Sequence, residues 1–154
     1  MTKREALKRV RSILKGTIAE HGEAIVVTAS AEGRPHASWM GTLSSPNIER
    51  LLTLTSPDSR KVVNLLENPV VEWLFVNRSR TEVAYLRGIA RVVQDPDEVE
   101  RAWKLLKNKT KAFFMQYMPK QGMGFFVIET KVSEIELVVP KNNLFKVMNP
   151  PFRS

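Results

Sequence analysis

The chain has 154 residues, 43% of them hydrophobic and 26% charged, which fits a single soluble domain spanning residues 1–154 with length enough for a core. A net charge of +8 favours anionic partners, and the absence of cysteine excludes disulfides, thiolate metal sites and cysteine nucleophiles. No apolar run reaches the length of a membrane-crossing helix. The start, Thr2-Lys3-Arg4-Glu5-Ala6-Leu7, lacks the apolar stretch of a secretory signal, so a cytoplasmic setting is expected.

In chain order, Thr2 and Glu5 form a capping box, and Leu7, Val10, Leu14 and Ile18 recur at helical spacing up to Gly22. Ala24 to Ser30 reads as a strand, Ala31-Glu32-Gly33 as a tight turn and Arg34 to Leu43 as the second strand of a hairpin. Ser44 to Asn47 reads as a loop and Glu49 to Thr55 as a third strand. Ser56-Pro57-Asp58-Ser59 offers helix caps, and Arg60 to Glu67 is a short helix with Val62, Val63, Leu65 and Leu66 on adjoining faces. Asn68-Pro69 stops it. Val70 to Val76 is apolar on both faces, which suits a central strand.

Thr81 to Val93 alternates. Ala84, Leu86, Gly88, Ala90 and Val92 form a small apolar face suited to a barrel interior. Val83, Tyr85, Arg87, Ile89 and Arg91 form an amphipathic face of interface composition. Asp95-Pro96-Asp97-Glu98 starts a helix whose buried side is Val99, Ala102, Trp103 and Leu106. Residues 112–118 read as a further short helix. Phe125 to Thr130 and Val132 to Val139 read as two strands, and the tail from residue 141 as irregular. Seven strands without strict strand–helix alternation predict a mainly antiparallel β-barrel with flanking helices, α+β by some counts.

Catalytic constellations are missing. There are two histidines, His21 and His36, no G-x-S-x-G elbow and no G-x-x-x-x-G-K-[ST] phosphate loop. No metal site is expected. The basic stripe of Lys104, Lys107 and Lys111 has no interleaved aromatic platform, which disfavours nucleic acid as a partner. The informative stretch is Thr53 to Lys61, where a strand gives way to a helix. Helix starts present unpaired N–H groups and partial positive charge, so Arg60 and Lys61 there call for solvent or an anion. A phosphate monoester would meet those N–H groups, the Thr55 and Ser59 hydroxyls and both cations together. Two solvated basic residues on a surface helix fit the same local pattern.

Gly33-Arg34-Pro35, Leu54-Thr55, Ser59-Arg60-Lys61, then Leu65-x-x-Asn68-Pro69-x-Val71 and Gly88-x-Ala90 together resemble the pyridoxamine 5′-phosphate oxidase-like family, in its small general-stress-protein branch. The resemblance implies a split β-barrel, a homodimer, and flavin mononucleotide (FMN) at the subunit interface. It implies that Arg60 and Lys61 contact the flavin phosphate with Ser59 and Thr55 beside them. It also implies that the second strand, including Ser38, Trp39 and Met40, runs along the flavin ring.

Two departures argue against vitamin B6 oxidation: Ser38 stands where the family's oxidases carry arginine, and no tryptophan follows Trp103. The expected function is an FMN-dependent oxidoreductase of unassigned substrate, with no catalytic side chain assigned. The alternative is a non-catalytic, stress-related protein binding flavin, deazaflavin or haem, since relatives of the fold bind these. Trp39 is a candidate to stack near the ring, though a strand tryptophan is more often core or interface. His36 is a candidate acid or base, though a lone strand histidine is more often just partly exposed. Tyr85 and Arg87 are candidates to reach the flavin of a second subunit, with a plain dimer contact the commoner role. Phe113, Phe114, Met115, Met118 and Met123 fit either a lid over the ring or a helix closing the barrel.

Overall fold

The computed structural model describes residues 1–19, 24–41, 43–106 and 124–153. Helix α1 (Lys3–Ala19) opens on a reciprocal capping box. The Glu5 N–H donates to the Thr2 hydroxyl at 3.2 Å, and the Thr2 N–H donates to the Glu5 carboxylate at 2.7 Å. Leu7, Val10 and Leu14 are buried, and Ile18 packs against the same core, as the spacing requires.

Eight strands follow: β1 (Ala24–Ala29), β2 (Pro35–Met40), β3 (Leu43–Asn47), β4 (Arg50–Thr55), β5 (Val70–Val76), β6 (Val83–Val93), β7 (Phe126–Val139) and β8 (Leu144–Met148). Helix α2 (Arg60–Glu67) lies between β4 and β5, and α3 (Pro96–Leu105) follows β6. All paired strands are antiparallel, in the order β2-β1-β5-β6-β7-β4-β3, with β8 added on β7. The two ends of that order, β2 and β3, do not pair with each other, so the barrel is open.

Strand β7 explains where the sequence pattern misleads. It pairs with β6 along its length, but its first half pairs with β4 and its last half with β8. Between Arg87↔Glu134 and Gly88↔Val132 the register slips by one, leaving Ser133 as the extra residue of a bulge. Buried positions are Ile128, Thr130 and Val132 before the bulge and Ile135, Leu137 and Val139 after it. That phase flip makes one strand read as two.

Two other expectations are corrected. Ser44 to Asn47, expected as a loop, belongs to edge strand β3, where Pro46 is tolerated because only one side of the strand must pair. The tail is not wholly irregular: β8 lies within it, and Phe152 beyond it is buried in the main core. The tail is also tied to α1, since Lys3 Nζ donates to the Asn149 carbonyl at 2.6 Å and an Arg11 guanidinium N–H to that of Phe152 at 2.7 Å. The expected helix at 112–118, with Phe113, Phe114, Met115, Met118 and Met123, lies outside the described residues, as do His21, Gly22, Lys107 and Lys111.

The barrel interior holds Trp73, Phe75, Leu86, Ile135 and Leu137, closed by the apolar face of α1. Its one indole N–H is satisfied, donating to the Thr130 hydroxyl at 3.0 Å. A second cluster lies under α3, where Ala102 and Leu106 meet Leu52, Leu54, Val93 and Val127, and Trp103 stacks on Phe125 at 5.1 Å. Asp95 caps α3 as expected, accepting from the Glu98 N–H at 3.0 Å. Among the described residues, no helix is long and apolar enough to cross a membrane, and no group of three or more His, Cys, Asp or Glu could hold a metal ion.

Gly88 sits at the bulge because nothing larger fits: a Cβ there would stand 2.0 Å from the Lys131 carbonyl oxygen. Gly88→Ala is expected to destabilise the fold by about 2–3 kcal/mol, read as a lower urea midpoint. An unchanged midpoint would show that β6 and β7 do not approach so closely.

Candidate functional site

Strand β4 ends at Thr55, α2 begins at Arg60, and the four residues between them make the turn. Ser59 is the N-cap residue with extended backbone (φ −68°, ψ 147°), yet its side chain does not cap its own helix. Its hydroxyl lies 3.0 Å from the Thr55 hydroxyl instead. The N–H groups of Val62 and Val63 turn back to the Ser59 carbonyl at 3.0 and 3.3 Å, which leaves those of Arg60 and Lys61 at the open end of the helix. Thr55, Ser59, Arg60 and Lys61 are therefore gathered at one strand–helix junction, as the sequence predicts.

The two cations differ. Arg60 is exposed, whereas Lys61 is half-buried, and burial pushes its pKa below the ordinary lysine value. Among the described residues no carboxylate lies within ion-pair distance of either. The nearest acid in sequence, Asp58, is exposed and accepts a short hydrogen bond from the Ser56 hydroxyl. A partly desolvated ammonium in the first turn of a helix, two residues after Ser59 and without a carboxylate partner among the described residues, is chemically matched to a small anion.

The three candidates on β2 are not brought to one face. The β1–β2 ladder pairs Val26 with Ser38 and Ala24 with Met40, so Ser38 and Met40 share the inner face with the buried Val26 and Ala24. Trp39 pairs with Ile25 on the opposite face and is 63% exposed. Alternation along a strand forbids all three from lining one surface. His36 is on the inner side, directly opposite Thr28.

A residue that the sequence reading missed is Asn64. The expected apolar face of α2 included Val63 and Leu66, but both are exposed, while Val62, Asn64 and Leu65 are buried. Asn64 is 6% exposed, and its amide donates to the Thr28 hydroxyl at 3.0 Å. Its one mark in the sequence is a polar side chain set between Val63 and Leu65, which a surface position on the helix would share.

Tyr85 and Arg87 lie on the outer face of the sheet. The Arg87 guanidinium bonds Glu72 at 2.6 Å, Glu134 at 2.5 Å and Glu136 at 2.8 Å, and stands 5.9 Å from the Tyr85 ring centroid. Hydrogen bonds to Glu134 and Glu72 raise its pKa further above the usual arginine value. Elsewhere Arg50 and Arg91 share Glu129; burial opposes charge on that carboxyl, but the two arginines outweigh it and hold its pKa below normal. Lys104, the described part of the basic stripe, pairs with Glu100 at 3.3 Å. A cavity of about 650 Å³ between α1 and the β3–β4 turn, lined by Leu14, Ile18, Ile48 and Phe152 among others, contains none of the seven candidates.

Comparison with known proteins agrees with this architecture. The family described as pyridoxamine 5′-phosphate oxidase matches residues 11–138. No curated protein matches the chain. Among solved structures, the chain is similar to a Clostridium acetobutylicum protein related to general stress protein 26 of B. subtilis (TM-score 0.75, 13% identity, 95% of each chain covered). It is also similar to General Stress Protein 26 from Bacillus anthracis (TM-score 0.65, 17% identity, 92% of this chain and 98% of that one). A heme binding protein from Mycobacterium smegmatis matches with TM-score 0.69 and 18% identity, over 97% of this chain and 58% of that one. At such identities the structural likeness establishes the split-barrel fold alone. The family match covers most of the sequence, and the chain belongs to the pyridoxamine 5′-phosphate oxidase family.

Proposed function

We propose that this chain binds FMN through the junction of β4 and α2 and serves as a flavin-dependent oxidoreductase. The observation that carries this reading is Lys61: an ammonium half-buried in the first turn of α2, without a carboxylate partner among the described residues, at the same strand–helix junction as Arg60 and the paired Thr55 and Ser59 hydroxyls. Those groups fit a phosphate monoester. Arg60 and Lys61 supply charge, and the hydroxyls and first-turn N–H groups supply directional donors. Ser38, half-buried on the inner face of β2, is the candidate in this reading for contact with the ring, while Met40 on the same face is buried in the main core. Bound flavin supplies hydride transfer; the chain supplies placement and electrostatics.

The same reading includes a homodimer. Val70 and Ile89 are cross-strand partners, exposed by 60% and 52%, with Leu66, Phe145 and Val147 also exposed. Apolar surface on this scale favours a partner, and a second copy is the one the family resemblance implies.

Haem is the second reading, favoured by the likeness to the heme binding protein. An axial ligand would then be needed, and His36 is the only histidine among the described residues.

Three outcomes are expected. Purified protein titrated with FMN becomes yellow and saturates; a colourless protein indifferent to FMN would sink the flavin reading. Exchanging Arg60 and Lys61 together for alanine weakens FMN by about 100-fold or more, since each charge-assisted bond contributes roughly 1.5–3 kcal/mol, while riboflavin, which lacks the phosphate, is held as before. Ile89→Asp gives monomers in analytical ultracentrifugation, and a mass equal to that of the unaltered protein would remove this face from the dimer. A Soret band on haem addition that His36→Ala abolishes would favour the second reading instead.

A further inference from the structure

Helix α2 has only eight residues, too few to hold itself in water. What fixes its rotation decides where Arg60 and Lys61 point. Two polar side chains on one stripe tie it to the first strand. The buried Asn64 amide donates to the Thr28 hydroxyl at 3.0 Å, and the Asn68 amide donates to the Ser30 carbonyl at 3.2 Å. Asn68 also accepts from the Val70 N–H at 3.2 Å, which joins the end of α2 to β5.

The spacings match. Four residues of helix rise about 6 Å, and two residues of strand span about 6.7 Å. Asn64 and Asn68 therefore meet Thr28 and Ser30 in step, with α2 running along β1. Arg60 stands four residues before Asn64 on the same stripe. One further step of this ladder leads from Asn64 to Arg60 and from Thr28 towards Val26, whose partner on β2 is Ser38. A slip of α2 by one residue would rotate Arg60 by about 100° and leave a buried amide unpaired.

We propose that Asn64 and Asn68 are positioning residues that lock α2 against β1 in a single rotation and register, and so aim Arg60 and Lys61 at the bound phosphate. The proposal rests on the flavin reading for the identity of the anion, but not for the lock itself. Both residues act through the cations and need not touch the ligand.

The decisive variant is Thr28→Val combined with Asn64→Leu. Replacing both partners by apolar groups of similar shape can leave stability nearly unchanged, yet it removes the directional bond. FMN affinity is expected to fall about tenfold, with riboflavin affinity within twofold of the unaltered protein and the thermal midpoint little moved. Thr28→Ser, which keeps the hydroxyl, should bind FMN as before. The proposal is overturned if the double variant binds FMN normally, or if FMN and riboflavin weaken in parallel. Should the double variant not fold, Asn68→Ala, at a part-buried site, carries the same comparison. If the unaltered protein takes up no FMN, the flavin reading fails by itself. The lock is then judged by hydrogen exchange of the Val62 to Glu67 amides. These should exchange about tenfold faster in the variant, and equal rates would overturn the proposal.

Discussion

The whole arrangement depends on β7 changing partners halfway along. Its first half is hydrogen-bonded to β4 and its second half to β8, while β6 runs beside it throughout. A flat, regular strand could not serve both partners and still keep its apolar residues inside. The extra residue at Ser133 resolves this, because a one-residue slip inverts which side chains face inward. Gly88 is the counterpart on β6, the one residue slim enough to let the backbones meet there. Since Thr55 lies opposite Phe126 in the β4–β7 ladder, the same pairing sets where β4 ends and α2 begins.

From that point the candidate site is an exercise in desolvation and direction. The Thr55 and Ser59 hydroxyls are paired with each other rather than spent on capping α2. Lys61 is drawn partly out of water without a carboxylate to answer it among the described residues. Such a cation is costly unless a ligand compensates it. The short helix is held at this spot by the burial of Val62 and Leu65, while the polar bonds of Asn64 and Asn68 give it direction.

Much of this was readable before any coordinates. The capping box at Thr2, the Asp95 cap, the Gly33 turn and the alternation of β6 each rest on local chemistry, and each stands where the pattern puts it. The junction at Ser59-Arg60-Lys61 was legible for the same reason. What escaped depended on contacts distant in sequence. Strand β3 has a proline and two serines and is a strand only because β4 lies beside it. Strand β8 is short and leans on the far half of β7. Asn64 looks like a surface residue until Thr28, 36 positions earlier, is placed against it. Trp39 stands between Ser38 and Met40 in sequence, but the pleat turns it the other way.

The cluster around Arg87 has a consequence for the molecule as an electrical object. Three carboxylates around one guanidinium leave about two negative charges at that one spot on the sheet, in a chain whose total is +8. The opposite side carries α1, with Arg4, Lys8 and Lys15 exposed. The positive excess is therefore unevenly spread, with an acidic spot set among basic residues. An anionic solute is repelled at the Arg87 cluster and attracted along the exposed cations of α1, so the same molecule presents both signs to its surroundings.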